Sequence, residues 1–490
     1  MSQTQTLYLQ HERMKPHPLQ QLPTTRILAR WVSPRRQIPL LLVSLLGIFI
    51  IAGIYYSPQF DFDVRLRWRP DTKPETLLAT GSYDVSHSVL GHPTANFKDN
   101  LRPDLKYITG FAAAGYTNDF MTYVNIVLLA QFTRRIPIIP PFSPSHIGYD
   151  EESIPFGDVF NVLRMAEELK MPVLEWRDVK KDIETVAGPQ SDKLGCWTCW
   201  AQFDDGPRAG KARENRLEGR LGLDISYTKV PASAKMPQGN VDLSAWELAK
   251  LGFHPGWLAG TQENQPIDSE GPLKHRIPPD EQLLCFDFLY YVHVIRPWEW
   301  DEEYSPAWHI ASKMHFAPRM VQMANGYLMR LFDVQREADI PLFISIHVRH
   351  GDFKGACGTV PVNDCFAPLA VISRRVQEVQ DELASAHPGL NNGLPLKVLL
   401  TSDEQGEAWW NDVRNLGWYF IDHGPRGEDT AAKHGKWYPP LLDSVFQSMG
   451  TGFVGTDRST MSQIARRRVQ DWQGGAVRDF RWGYPGADDH

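Results

Sequence analysis

Short apolar runs alternate with segments of helical periodicity throughout the C-terminal third of the chain. The runs predict strands at residues 342–348, 397–402, 418–422 and 452–456, and the segments between and after them predict helices at 368–386, 406–415, 440–449 and 459–472. Strands that alternate with helices predict a parallel sheet with both faces covered. Because ligands of such sheets bind at the carboxyl ends of the strands, functional residues are expected directly after each run.

The N-terminal half opens with a second pattern of the same kind. Residues 105–115 read as a short strand that runs into a Gly/Ala-rich turn, and helical spacing follows up to Phe132. The run 136–142 is a short strand stopped by prolines. Strand, turn, helix and strand predict a βαβ unit. Residues 185–280 are rich in Gly, Pro and Trp; their elements stay unassigned, and their composition suggests acceptor-binding loops.

Residues 38–56 form an uncharged apolar run near the N-terminus. A helix of this length crosses about 30 Å of hydrocarbon, so the run predicts a membrane anchor. Six basic residues and one acidic residue precede it, whereas the first charges after it are Asp61 and Asp63. The positive-inside rule therefore predicts a cytosolic tail (1–37) and a stem (57–95) that leads into the lumen. The Asp61-Phe62-Asp63 triplet resembles a metal-binding DxD, but its position predicts solvated charge.

Length and charge limit the remaining possibilities. A chain of 490 residues predicts two domains, which the patterns divide at 96–335 and 336–480. The charged fraction of 22% is that of a globular protein, and a net charge of −7 gives no overall attraction for nucleic acid. Any anion site must therefore be a local concentration of positive groups.

Five cysteines are disulfide candidates if the chain is lumenal. Cys357 and Cys365 flank a short Gly/Pro loop and could pair, although the sequence does not determine the disulfide pairing. Cys196 and Cys199 have CxxC spacing, but a single pair without a local histidine disfavours zinc. One cysteine is left over.

Three strand ends carry polar groups suited to a phosphorylated ligand. The first supplies His347, Arg349, His350 and Asp352; the second is the run 401–404; the third is 456–460, where a helix begins. A helix N-terminus with hydroxyls attracts anions, and a guanidinium fits phosphate. Together they predict an anion site that needs no metal, with Asp443 or Asp403 as partners for a base or ribose. The structural alternatives are an Arg349–Asp352 ion pair and a plain helix cap at Ser459.

These segments resemble a known family. "HVRHGD", "LLTSDE" and "FVGTDRSTMSQIA", in this order, are similar to the GDP-fucose-dependent fucosyltransferase superfamily, nearest to its protein O-fucosyltransferase branch. The segment "GFAAAGYTNDFMTYVNIVLLAQFTRRIPIIPPF" resembles the first turn, helix and strand of that family. The resemblance covers residues 105–142 and 341–472, somewhat over a third of the chain.

The resemblance implies an α/β fold of GT-B type, in which two Rossmann-like domains face each other across a cleft. It implies inverting, metal-independent transfer from GDP-fucose. It also implies that Arg349 binds the β-phosphate of the donor. The other donor-binding positions that it implies are His347 in support of Arg349, Ser459 and Thr460 at phosphate, Asp443 at guanine, and Gly115 and Asn118 near fucose and the β-phosphate.

The general base stays open among three residues. Asp119 stands where the family often has Arg or Gln, and it is a candidate for the base or for a helix N-cap. His350 and Asp352 are alternatives.

The resulting prediction is a single-pass type II membrane enzyme of the Golgi or ER that transfers fucose from GDP-fucose to a protein hydroxyl or a glycan. The alternatives are a GT-B transferase for another sugar nucleotide and a catalytically silent lumenal lectin or scaffold. No P-loop signature supports a kinase or another NTPase.

Overall fold

A computed structural model describes residues 85–148, 150–181, 192–203, 210–237, 241–297, 299–300 and 305–488. The predicted tail, the anchor at 38–56, the DxD triplet and residues 57–84 of the stem lie outside these described residues. None of the helices in the described part has the length and apolar character needed to cross a membrane.

All described strands that pair in sheets run parallel, which confirms the predicted α/β class. A six-stranded sheet has the order β3-β2-β1-β7-β4-β5, a four-stranded sheet has the order β10-β9-β11-β12, and β6 pairs with β8. The strands are β1 (Tyr107–Gly110), β2 (Ile136–Ile139), β3 (Leu174–Glu175), β4 (Asp192–Thr198), β5 (Leu223–Lys229), β6 (Leu243–Ser244), β7 (Leu283–Phe286), β8 (Val292–His293), β9 (Phe343–Val348), β10 (Lys397–Ser402), β11 (Gly452–Thr456) and β12 (Ala476–Phe480).

Helices connect the strands and cover the sheets. They are α1 (Tyr116–Thr133), α2 (Phe156–Val159), α3 (Val162–Leu169), α4 (Trp176–Val179), α5 (Leu217–Arg220), α6 (Ala245–Lys250), α7 (His254–Glu263), α8 (Trp308–Ala311), α9 (Pro318–Phe332), α10 (Val362–Cys365), α11 (Leu369–Ala386), α12 (Glu407–Asn415), α13 (Thr430–His434), α14 (Tyr438–Met449) and α15 (Thr460–Gln473).

Helix α1 is buried on nearly all sides, because it lies between the six-stranded sheet and other helices. Fourteen of its eighteen residues are buried. It begins after Gly115, which has extended backbone, and ends at Arg134 in the left-handed region. A helix that is buried on every side is fixed in position, and so are the residues of its first turn.

The register of the four-stranded sheet aligns three strand ends. His347 on β9 lies beside Thr401 of β10 and Gly455 of β11. The residues that follow these strands therefore meet at one edge, as the sequence predicts.

Two details of the C-terminal pattern differ from the prediction. Residues 418–422 do not form a strand: Tyr419 bridges to Leu399, with its N–H and C=O bonded to Val398 and Leu400, and the chain then enters the turn that follows Asp422. Strand β12 was not predicted, although it pairs with β11 along its full length.

Two disulfides join residues of the described chain. Cys357 pairs with Cys365, the pairing that their short separation in the sequence allows. Cys196 pairs with Cys285 across neighbouring strands β4 and β7, and Cys199 is a buried free thiol. The CxxC spacing therefore marks neither a zinc site nor an internal disulfide.

Candidate functional site

Arg349 follows β9 and projects from the carboxyl edge of the four-stranded sheet. Its backbone N–H donates to Thr456 Oγ1 at 2.9 Å, which ties it to the end of β11. Its guanidinium pairs with Asp352 at 2.7 Å and with Asp403 at 2.8 Å. The side chain is 28% exposed, so part of it stays open to solvent while the ion pairs hold the guanidinium.

Asp403 holds both the guanidinium and the turn that carries it. Asp403 Oδ1 accepts the backbone N–H groups of His350 at 2.8 Å and Gly351 at 3.2 Å. A Cβ at position 351 would lie 2.2 Å from Asp403 Oδ2, so this close approach requires glycine. Asp403 thus positions Arg349, and its predicted contact with a base or ribose stays a prediction.

His347 is buried beneath this turn and is uncharged. Its Nδ1 lies 2.8 Å from Ser462 Oγ, which accepts the Thr456 N–H at 3.0 Å. Burial, and then the charges of Arg349 and His350, lower the pKa of His347 to about 3. With the Ser462 hydroxyl donating to Nδ1, the neutral ring keeps its proton on Nε2 as a hydrogen-bond donor.

Ser459 and Thr460 open α15 at the same edge. Ser459 occupies the N-cap position, but its hydroxyl makes no capping hydrogen bond, which disfavours the plain-cap alternative. Thr460 Oγ1 donates to Asn118 Oδ1 at 2.9 Å and lies 2.7 Å from Thr117 Oγ1. The first turn of α1 and the first turn of α15 therefore meet, and both helices direct N–H groups to this place.

Asp119 lies behind the Gly-rich turn and is fully buried. Its Oδ1 accepts the Ala114 N–H at 2.9 Å, and its Oδ2 accepts the Ser143 N–H at 3.1 Å. Burial raises its pKa well above the ordinary range. Because both oxygens are occupied and none reaches solvent, the geometry favours a loop-positioning role over the predicted base.

The other two candidates for the base have different surroundings. His350 is buried, with Nδ1 2.8 Å from Glu404 and its ring against Phe366. Asp352 is exposed but bound to Arg349. The predicted Arg349–Asp352 pair therefore exists.

Asp443 lies on α14 and pairs with His423 at 3.0 Å. The other nitrogen of His423 lies 2.8 Å from Thr430 Oγ1. Among the described contacts, none joins Asp443 to Arg349 or Thr460, so its guanine-binding role stays a prediction.

Sequence reasoning missed His146, in the loop after β2. Its ring packs against Gly115, where an added Cβ would lie 3.2 Å from His146 Cδ2. The charges of Asp352 and Arg349 both influence the pKa of the imidazole, so the ring lies within electrostatic range of their ion pair. The rule that functional groups follow strand ends, applied to β2, would have found it.

The described residues contain no cluster of three or more His, Cys, Asp or Glu side chains arranged to hold a metal. The polar groups at the edge are a guanidinium, hydroxyls, an amide and helix N-termini.

Comparisons with known proteins give structural likenesses only. No family model matches the sequence, and no curated protein sequence matches it. A crystal structure of POFUT1 in complex with GDP-fucose is 14% identical with a TM-score of 0.46, covering 78% of this chain and 99% of that chain. A crystal structure of the NodZ alpha-1,6-fucosyltransferase soaked with GDP-fucose is 13% identical with a TM-score of 0.37, and the match covers 77% of this chain and 95% of that chain. The fucosyltransferase NodZ from Bradyrhizobium is 12% identical with a TM-score of 0.35, covering 74% and 93%.

Proposed function

We propose that the chain is a glycosyltransferase of GT-B type that transfers fucose from GDP-fucose to a hydroxyl of a protein or glycan. The observation that carries the proposal is the contact of Thr460, which follows the same strand end that binds the Arg349 backbone, with Asn118. Arg349 and Thr460 come from the end of the four-stranded sheet, and Asn118 comes from the end of the six-stranded sheet. A site with groups from both sheets is suited to hold a donor between them.

Arg349 is the group that stabilises the leaving diphosphate. Five N–H groups belong to a guanidinium, and the ion pairs to Asp352 and Asp403 use two of them. The remaining N–H groups are available for phosphate oxygens. Because the two carboxylates fix its orientation beforehand, little reorganisation is needed when the glycosidic bond breaks and charge develops.

The remaining donor contacts follow from the same edge. The N-termini of α1 and α15 supply N–H groups and partial positive charge to the phosphates, with the Ser459 hydroxyl beside them. The neutral His347 supplies an N–H donor. These groups replace the charge that a metal ion would otherwise supply, so the proposed transfer is metal-independent.

The identity of the sugar rests on the motif resemblance. The strings around Arg349, Asp403 and Ser459 resemble those of GDP-fucose-dependent enzymes, and Asp443 is the proposed partner of guanine. Inversion at the fucose carbon follows if the acceptor hydroxyl attacks from the side opposite the diphosphate.

The silent-scaffold alternative has one observation in its favour. Arg349 is already paired with two carboxylates, as a purely structural arginine would be. The two functions differ in whether nucleotide binds and turns over.

We also propose that residues 38–56 anchor the chain in a Golgi or ER membrane, with the catalytic part in the lumen. The Cys196–Cys285 and Cys357–Cys365 disulfides support an oxidising compartment. Protease protection of the chain in sealed microsomes tests the topology: protection of everything but the N-terminal tail is expected, and digestion of residues 96–480 would contradict it.

Calorimetry of the full-length chain with GDP and UDP in EDTA tests the donor site, followed by GDP release from GDP-fucose, GDP-mannose and UDP-glucose. We expect metal-free binding of GDP in preference to UDP, and turnover of GDP-fucose alone. Binding without turnover would favour the scaffold, turnover of another donor would favour a different transferase, and no GDP binding would contradict both transferase functions.

A further inference from the structure

The loop after β2 brings one histidine into the proposed site from the six-stranded sheet. Phe142 N–H donates to Ile154 O at 2.8 Å and closes the base of this loop. Trp437 Nε1 donates to Glu152 O at 2.8 Å and ties the loop to the segment before α14. His146, between these two anchors, is therefore held in place from both sides.

The imidazole of His146 lies against the Gly-rich turn that precedes α1. It packs against Gly115, the residue that ends the Gly-rich turn and precedes α1, with 3.2 Å between its Cδ2 and an added Cβ. Any larger side chain at position 115 would displace the ring. The turn thus places His146 next to the first turn of α1, whose Asn118 already contacts Thr460.

The charged groups that influence the pKa of the imidazole are Asp352 and Arg349, both from the loop after β9. Gly115, which packs against the ring, has no titratable side chain. Asp352 favours the protonated ring, and Arg349 opposes it. Burial by the walls of the cleft is the larger effect and lowers the pKa of His146 below its usual 6.5. The ring is therefore neutral near pH 7 and has a free lone pair for a proton.

His146 also differs from the other titratable side chains at this edge in having no hydrogen-bond partner among the described residues. Asp119 accepts two backbone N–H groups, His350 is bound to Glu404, and Asp352 is bound to Arg349. Although its ring is partly shielded from water, the side chain of His146 still exposes part of its surface to solvent, so a substrate can reach it.

We propose that His146 is the general base that removes the proton from the acceptor hydroxyl, an inference that rests on the fucosyl transfer proposed above. The acceptor oxygen forms a bond to C1 of fucose as its proton moves to a ring nitrogen of His146. The bond between C1 and the β-phosphate oxygen breaks, and its electron pair leaves with GDP beside Arg349. The proton is then lost from the imidazolium to water, and no further reactant is needed.

GDP release from GDP-fucose, with water as the acceptor, tests the proposal in the full-length chain. General-base catalysis contributes about 10²- to 10⁴-fold, so His146→Ala should lose at least about 100-fold in kcat while GDP affinity by calorimetry changes less than about threefold. His146→Gln keeps much of the side-chain volume and should lose as much. His254→Ala is the matched control, because His254 is an exposed histidine at the start of α7 that pairs with Glu281.

Two further readouts separate a base from a structural histidine. The wild-type rate should fall at acid pH with a midpoint below 6.5, and this limb should be absent from His146→Ala. Added imidazole should restore part of the rate of His146→Ala but not of Arg349→Ala.

The outcomes separate this inference from the proposed function. Turnover of His146→Ala within about threefold of wild type, or an unchanged acid limb, overturns the inference and leaves the fucosyl transfer standing. A wild type that binds no GDP, or that binds it and releases no fucose, overturns both.

Discussion

The two sheets present different kinds of group at the edges that face the proposed site. The edge of the four-stranded sheet carries charged and hydroxyl side chains, with Arg349, Asp403 and Thr456 joined by direct contacts. The edge of the six-stranded sheet carries a Gly/Ala turn, whose backbone is held from behind by the buried Asp119. The four-stranded edge acts mainly through its side chains, and the six-stranded edge acts through the shape of its turn together with the side chains of Asn118 and His146.

This difference separates binding from positioning. A fixed guanidinium attracts a phosphate through its charge, whereas a turn of small residues admits a ligand only if its backbone is kept in place. Substitutions at the four-stranded edge should therefore change nucleotide binding and turnover, and those behind the six-stranded edge should change stability first.

Arg349→Ala is expected to have the largest effect. Removal of a preorganised group at developing charge costs about 10²- to 10³-fold in rate, so GDP release from GDP-fucose should fall by that factor. Arg426→Ala, at a highly exposed arginine, is the control and should match wild type. A loss of less than threefold in Arg349→Ala would mean that the pairs with Asp352 and Asp403 are merely structural.

The buried His347 should make the chain sensitive to acid. Its folded pKa of about 3 lies below the ordinary 6.5, so the unfolded chain takes up this proton first. The contribution of the neutral His347 to the free energy of unfolding is therefore complete above pH 6.5. It should decrease by about 1.4 kcal/mol per pH unit as pH falls toward 3.

Urea unfolding of wild type and His347→Gln between pH 7 and 4 measures this effect. The difference between the two free energies of unfolding isolates His347 from carboxyl groups such as Asp119, whose raised pKa acts in the opposite direction. If the difference in free energy of unfolding between wild type and His347→Gln did not change with pH, the result would contradict a neutral, buried His347 ring.

Asp119→Asn distinguishes a loop anchor from a base. An amide keeps one acceptor oxygen, so one of the N–H groups of Ala114 and Ser143 loses its partner, at a cost of about 1–3 kcal/mol. Urea denaturation should show this loss. Full stability combined with a 100-fold loss of turnover would instead restore Asp119 as the base.

Thr460→Val tests the contact between the two edges. The substitution keeps the shape and removes the hydroxyl that bonds to Asn118, so GDP affinity should fall by about 0.5–1.5 kcal/mol. Thr261→Val is the control, because that hydroxyl donates to Trp257 O within α7. Equal GDP affinities for Thr460→Val and Thr261→Val would show that the two sheet edges bind GDP independently of the Thr460–Asn118 contact.

Asp352→Asn should have the smallest effect. Exposed ion pairs contribute about 0–1 kcal/mol, and Asp403 continues to orient Arg349. GDP affinity and turnover should both stay within about fivefold of wild type. A loss of turnover by about 100-fold or more would identify Asp352 as the base and would exclude His146 from that role.

The four-stranded sheet could be predicted from the sequence because its signals are local. Each strand is a short apolar run, and its polar residues follow it directly, as in His347 and Arg349 after the run 343–346. The exception is the run 418–422, where a strand-like pattern forms one bridge only.

The six-stranded sheet was harder to predict because its signals are distant in sequence. Strand β7 lies beside β1 in the sheet although more than 170 residues separate them. The Gly/Ala-rich turn contributes backbone groups, and Asp119 holds them in place through a hydrogen bond that no sequence pattern indicates. His146 has no motif around it, and its proximity to Arg349 depends on how the loop after β2 folds. Pair contacts such as Asp403 with Gly351 likewise appear only in three dimensions.

Hydrogen exchange of the full-length chain with and without GDP, in EDTA, tests most directly whether one ligand engages both edges. The account predicts that GDP slows exchange at 349–352 and 456–462 of the four-stranded edge and also at 111–118 of the six-stranded edge. Protection of the first edge alone, or of neither, would contradict a donor site built from both.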